Sequence, residues 1–176
     1  MRPRAGLLQT LLLAVPLLSG CSGEPVEPVE PVEPAVPDVC KPEGVTPEVI
    51  VGRGEYSYLV MMDGEVIQVV VPPQGGYVIW LALRQTGMRR AGSTTTATGR
   101  MDALDLDVGP SPVAYSFMPD DEEGYCRMYG LPLHIENARP ISDMLGREMK
   151  VTVRVADEDG DAAEGTRIVT LSEDVF

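Results

Sequence analysis

Prolines at positions 25, 28, 31, 34 and 37 decide where this chain can build a core and where it cannot. Each one fixes φ near about −65° and removes a backbone donor, so a proline at every third residue excludes helix and central strand from Ser22 to Val39. The segment SGEPVEPVEPVEPAVPDV is predicted as extended polyproline II, roughly 50–60 Å long at about 3.1 Å per residue. Glu24, Glu27, Glu30 and Glu33 repel one another along it and favour the stretched form. This reads as a semi-rigid stalk. The competing reading, a proline-rich ligand for a recognition module, lacks a nearby basic residue. The ladder thus divides the chain into a leader (1–20), a linker (21–40) and one domain of ordinary size (41–176), large enough to bury a core without a metal.

The leader MRPRAGLLQTLLLAVPLLSG has Arg2 and Arg4 ahead of an apolar run from Leu7 to Leu18, broken only by Gln9 and Thr10. That run is too short for a helix across about 30 Å of hydrocarbon and reads as a secretory core segment. Leu18-Ser19-Gly20-Cys21 then resembles the lipobox of bacterial lipoproteins: an aliphatic residue, two small ones, and cysteine. The resemblance implies diacylglyceryl attachment to Cys21, cleavage before it, and a lipid bilayer as partner through the acylated, palmitate-bearing residue. More than one acyl chain makes such an anchor stable. Ser22 resembles the pattern of outer-membrane sorting, so the expected location is the cell envelope, on either face of the outer membrane. An ordinary secretory leader with an incidental cysteine is the alternative.

Beyond Pro42 the apolar residues recur with the period of strands. Tyr56–Met62 and Glu65–Val71 flank Asp63-Gly64, which predicts a hairpin with a type I′ turn. Tyr77 to Arg84, YVIWLALR, is apolar at nearly every position, as for a central strand covered on both faces, with Trp80 on one face and Ile79, Leu81 and Leu83 on the other. Met149, Val151, Val153 and Val155 alternate with Lys150, Thr152 and Arg154, one face packed and one wet. Weaker segments at Glu48–Val51, Thr94–Leu104, Pro112–Met118, Gly124–Ile135 and Thr166–Leu171 bring the count to seven or eight strands, with a single helical turn at Pro140–Arg147. The expected fold is all-β, an immunoglobulin-like antiparallel β-sandwich, with a closed barrel as runner-up.

With Cys21 lipidated, Cys40 and Cys126 remain in a compartment that permits oxidation, and a structural disulfide between them is expected. Closing so long a loop is worth about 4 kcal/mol in the chain-entropy view. Free thiols or a reactive dithiol are the alternatives, without a Cys-x-x-Cys spacing to support them.

Function is approached chiefly by exclusion. The chain carries 14 Lys and Arg against 27 Asp and Glu, a net charge of −13, which argues against nucleic acid as a partner. One histidine, His134, cannot build a multi-histidine zinc site, and it reads as an isolated side chain rather than a base. No nucleophile elbow, zincin motif or phosphate loop occurs, so no enzyme and no cofactor are expected. Asp157, Asp159 and Asp161 are weak candidates for calcium, because oxygen donors stand at alternate positions but the bidentate Glu of a complete loop is missing; the same residues suit a hairpin turn. Asp120–Glu123 reads as a solvated acidic loop, the alternative being an acid/base pair, which needs one raised pKa.

Gln74-Gly75-Gly76 ahead of Trp80 and Ala82-Leu83-Arg84 resembles a stretch in exported domains of lipoproteins from myxobacteria and related Gram-negative bacteria. The resemblance spans the lipobox, the linker and much of Val45–Leu171, and implies an immunoglobulin-like domain without a particular activity. Gln74, Gly75, Gly76 and Trp80 are the candidate interaction surface. The expected function is a membrane-anchored, non-catalytic module that binds another envelope protein or has a structural role. A domain that binds or processes envelope glycan, with Trp80, Tyr77 or Tyr129 as a sugar platform, is the second reading, and a calcium-dependent adhesion module the third.

Overall fold

The computed structural model describes residues 38–135 and 139–176. The leader, Cys21 and the proline ladder through Pro37 lie outside the described residues. No helix among the described residues is long and apolar enough to cross a membrane.

Ten strands form two five-stranded sheets. In chain order they are β1 (Glu48–Arg53), β2 (Leu59–Val60), β3 (Glu65–Val69), β4 (Val78–Thr86), β5 (Ser93–Met101), β6 (Leu106–Tyr115), β7 (Met118–Pro119), β8 (Cys126–His134), β9 (Glu148–Ala156) and β10 (Ala162–Val175). One sheet runs β2-β1-β4-β8-β7 and the other β3-β10-β9-β5-β6. Strands β1-β4-β8-β7 facing β10-β9-β5-β6 reproduce the A-B-E-D and G-F-C-C′ orders of an immunoglobulin sandwich. Two short strands more than expected are added at one side, where β2 extends the first sheet beyond β1 and β3 extends the second beyond β10. All pairings are antiparallel except β3 with β10.

Alternation of side chains fills the space between the sheets. Ile79, Leu81 and Leu83 of β4 point into a core shared with Met128, Leu131 and Leu133 of β8, and meet Met149, Val151, Val153 and Val155 of β9 from the opposite sheet. The expected wet face of β9 is present too, with Lys150 and Arg154 exposed. Along the side where β1 faces β10 the sheets come close: a Cβ on Gly165 would lie 2.6 Å from the Val49 carbonyl oxygen. Only glycine fits there. Within Pro140–Arg147, where one short helical turn is expected, Ile141–Asp143 forms a 3₁₀ turn.

The hairpin predicted at Asp63-Gly64 does not exist. Leu59–Val60 is all that pairs from Tyr56–Met62, and it joins β1 in the first sheet, whereas β3 joins β10 in the second. Met62 to Glu65 is still a turn, with the Glu65 amide donating to the Met62 carbonyl at 3.2 Å. Gly64 has φ +80° but Asp63 does not share a positive φ, so the turn lacks the paired geometry of type I′. It is pinned to β10 instead, where the Asp63 carboxylate accepts the Ile168 amide at 3.0 Å and the Gly64 amide donates to the Ile168 carbonyl at 2.8 Å.

Cys40 and Cys126 are disulfide-bonded, 86 residues apart in sequence and both wholly buried. The bond ties the segment ahead of β1 to the first residue of β8. Asp38 reinforces the entry, its carboxylate accepting the Cys40 amide at 3.0 Å and the Arg90 amide at 2.8 Å.

Candidate functional site

The side of the sandwich where β2 and β3 are added is also where it opens. At the end of β3 the chain bridges the two sheets: Val69 and Val71 bond through their main chains to Phe176, just beyond β10, while Val70 and Val78 of the first sheet exchange both main-chain hydrogen bonds, at 2.9 and 3.0 Å. Toward the other end of β3 the two sheets diverge and leave a groove of about 420 Å³, lined by Glu65 to Gln68 and Val70 on one wall and by Arg53, Gly54, Glu55 and Trp80 on the other. Trp80 stands outside the core cluster, partly buried, its side chain forming part of this wall. Its indole Nε1 is buried and has no hydrogen-bond partner among the described residues, an arrangement that costs free energy until an acceptor arrives. Arg53 Nε lies 2.6 Å from Glu65 Oε1, an ion pair without the alignment of a hydrogen bond.

The predicted surface of Gln74, Gly75, Gly76 and Trp80 is therefore not one surface. Gln74 and Gly75 lie exposed in the turn that leads from Val70 to Val78, closed by the Gly75 amide donating to the Pro72 carbonyl at 2.8 Å. Gly75 and Gly76 adopt φ +88° and +83°, which explains the glycine pair by backbone conformation alone. None of the three lines the groove. Of the proposed sugar platforms Trp80 alone does so, since Tyr77 packs against the core and Tyr129 does not line that groove.

Other aromatic rings on the same sheet are already engaged. The Arg84 guanidinium sits 5.6 Å from the Tyr58 ring centre and 5.1 Å from that of Tyr125, so a cation occupies the position a sugar would need. Arg84 also donates to Asp120 at 2.9 Å and to Glu122 at 2.7 Å. Burial by itself would raise the Asp120 carboxyl, but the Glu122 amide and Arg84 outweigh it and hold it below its ordinary value. A general acid needs the opposite shift. The Asp120–Glu123 loop is thus partly a structural ion-pair site, more organised than a solvated acidic run.

The Asp157–Asp161 loop is the β9–β10 turn, with the Asp157 amide donating to the Asp161 carbonyl at 2.9 Å. A cation lies at its centre, and it belongs to the protein. Lys41 Nζ is 3.1 Å from Asp157, 2.7 Å from Asp159 and 2.7 Å from Asp161. The Asp157 carboxylate also accepts the amides of Arg89, Asp159 and Asp161, each at 3.0 Å. Hydrogen bonds to Asp159 and Asp161, then Asp157, raise the Lys41 ammonium well above its ordinary value against the effect of burial. Among the described residues, no three His, Cys, Asp or Glu side chains are grouped to hold a metal ion.

His134 ends β8 exposed, and lines a second open groove with Pro110, Pro112 and Pro132.

No protein-family model matches the chain, and no curated protein matches it. Among solved structures it is similar to the CooA pilin subunit from enterotoxigenic Escherichia coli, with 10% identity, 72% of this chain and 98% of that chain covered, and a TM-score of 0.31. A likeness so slight carries no argument about this chain.

Proposed function

We propose that this chain is an exported lipoprotein, anchored in the outer membrane through acylated Cys21, whose stalk presents a non-catalytic immunoglobulin-like domain to another envelope protein. The observation that carries the reading is the buried Cys40–Cys126 disulfide, placed where the proline ladder ends and the sandwich begins. Such bonds persist in oxidising compartments and are rare in the cytosol. It agrees with the Leu18-Ser19-Gly20-Cys21 motif and with the resemblance to myxobacterial-type lipoproteins. A glycan-processing role is less well supported, because the acidic loops are engaged by Arg84 and Lys41. Cys21→Ser tests the anchor: palmitate labelling disappears and the protein moves to the aqueous fraction. Normal labelling and membrane retention of C21S would overturn it.

A further inference from the structure

We infer that the groove beside Trp80 is a strand-acceptor site, in which the free edge of β3 pairs with an extended segment of a partner protein carrying alternating apolar and basic side chains. The inference rests on the reading of this domain as an interaction module and names its site and the class of segment it takes.

Main-chain direction comes first. Val69 faces β10, its amide donating to Ser172 Oγ at 3.2 Å and its carbonyl accepting the Phe176 amide at 2.9 Å. Successive residues of a strand aim their main-chain groups to opposite sides. Val70 accordingly faces the other way, toward Val78. Gln68 and Val66 share the direction of Val70, but there β3 is the outermost strand of its sheet and the first sheet has diverged, so their amides and carbonyls face the groove they line. An edge of this kind is a template for another strand.

The two walls of the groove supply the complementary features. The buried, unpartnered Trp80 Nε1 is a donor positioned to meet a carbonyl of an incoming main chain, and Trp80, Val66, Ile67 and Val70 offer apolar contact to alternate side chains. Charge selects the rest of the occupant. The groove holds Glu55 and Glu65 against Arg53, which Glu65 already neutralises, and the whole chain is at −13. Lysine or arginine at alternate positions of the segment complements that balance. The exposed side chain of Val66, 63% accessible, leaves apolar surface in the groove for such a segment to cover.

Trp80 is the only tryptophan in the chain, so its emission reports the site directly. The full mature chain is titrated with a nine-residue peptide of alternating lysine and valine, with the same peptide N-methylated at alternate amides, and with a glutamate-valine counterpart. The expected result is a saturable emission change with the first peptide, at least tenfold weaker binding of the N-methylated one, and none with the acidic one. Gln68→Pro, which removes an edge amide, is expected to weaken the first peptide at least tenfold. Equal binding of the methylated peptide would reduce the effect to charge attraction and overturn the site, whether or not Q68P folds. Absence of any saturable change overturns it as well. Sedimentation showing a dimer that Q68P dissociates would assign the edge to a second copy of this chain, likewise against the inference. Acylation of Cys21 plays no part in these outcomes, so failure of the anchor and failure of the groove are read separately.

Discussion

Lys41 and Arg100 each gather three aspartates, and the two clusters are built from nearly the same parts. Lys41 meets Asp157, Asp159 and Asp161; Arg100 meets Asp102, Asp105 and Asp107, the Asp105 contact being the closest. Their surroundings differ. The side chain of Asp157 is fully buried, whereas Asp102, Asp105 and Asp107 are 87%, 91% and 79% exposed. Asp157 also gathers three backbone amides and so organises the turn around itself, while Arg100 makes only side-chain ion pairs with its aspartates. Solvent and salt screen the second cluster, and the entropy of fixing long side chains opposes it. Counting ion pairs therefore overstates Arg100 and misses what Asp157 does. Desolvation and main-chain donors decide which cluster belongs to the fold.

The strongest way to disturb the first cluster is to release the chain that carries Lys41. Replacing Cys40 and Cys126 together by serine is expected to lower the unfolding free energy by about 4 kcal/mol in a urea titration. A loss under about 1 kcal/mol would mean that Lys41 and Asp38 hold the entry without the bond. Next comes Asp157→Ala, expected to cost about 3 kcal/mol because it strips three amides and an ammonium of their acceptor. Arg100→Ala is expected to leave the urea midpoint within error of the parent. Equal losses for the two substitutions would erase the distinction drawn between the clusters.

Acid sharpens the contrast further. Burial alone would raise Asp157, but the Arg89 amide, Lys41 and the Asp161 amide outweigh it, and Asp159 is lowered by Arg89 and Lys41. Both carboxyls thus titrate below the ordinary value of 3.8 in the folded protein. Folding favours their charged forms, so the stability they supply is present above that value and drains as pH falls through the depressed folded values. Between about pH 5 and pH 2 the parent is expected to lose stability more steeply than D157N/D159N. Parallel curves for the two proteins would remove the linkage.

The smallest effect concerns calcium. Because Lys41 occupies the centre of the loop, replacing chelator by millimolar calcium is expected to move the melting temperature by about 1 °C or less. A single-site isotherm of micromolar affinity, lost in D157N/D159N, would show that the metal displaces the ammonium.

Several strands were legible from their own residues. The alternation Met149 to Val155 predicts β9 and both of its faces, and the unbroken apolar run at β4 predicts a strand in the middle of a sheet, with Trp80 opposite Ile79, Leu81 and Leu83. Asp63-Gly64 misled because a turn signal is local while strand pairing is not. Its flanking segments have the right period for strands, but β3 finds β10 about a hundred residues later, and Asp63 accepts an amide from the middle of that strand rather than closing a hairpin. The groove was half legible. Trp80 was singled out, but its partners Arg53 and Gln68 carry no local mark, since what they share is a sheet edge.

The amino-acid sequence by itself determined the positions of most of the strands, the inward side of β4 and β9 and the turn at Asp157–Asp161, and it raised the expectation of a bond between Cys40 and Cys126. These follow from periods of two residues, from the φ preferences of Gly and Pro, and from cysteine count, all of which act within short stretches or on composition. Only the tertiary structure decided that Lys41 fills the acidic loop, that Arg84 lies between Tyr58 and Tyr125, and that β3, at the edge of its sheet, shares a groove with Trp80. Each depends on residues far apart in sequence meeting through sheet pairing, and period-two alternation specifies which face a side chain takes without specifying which strand lies beside it.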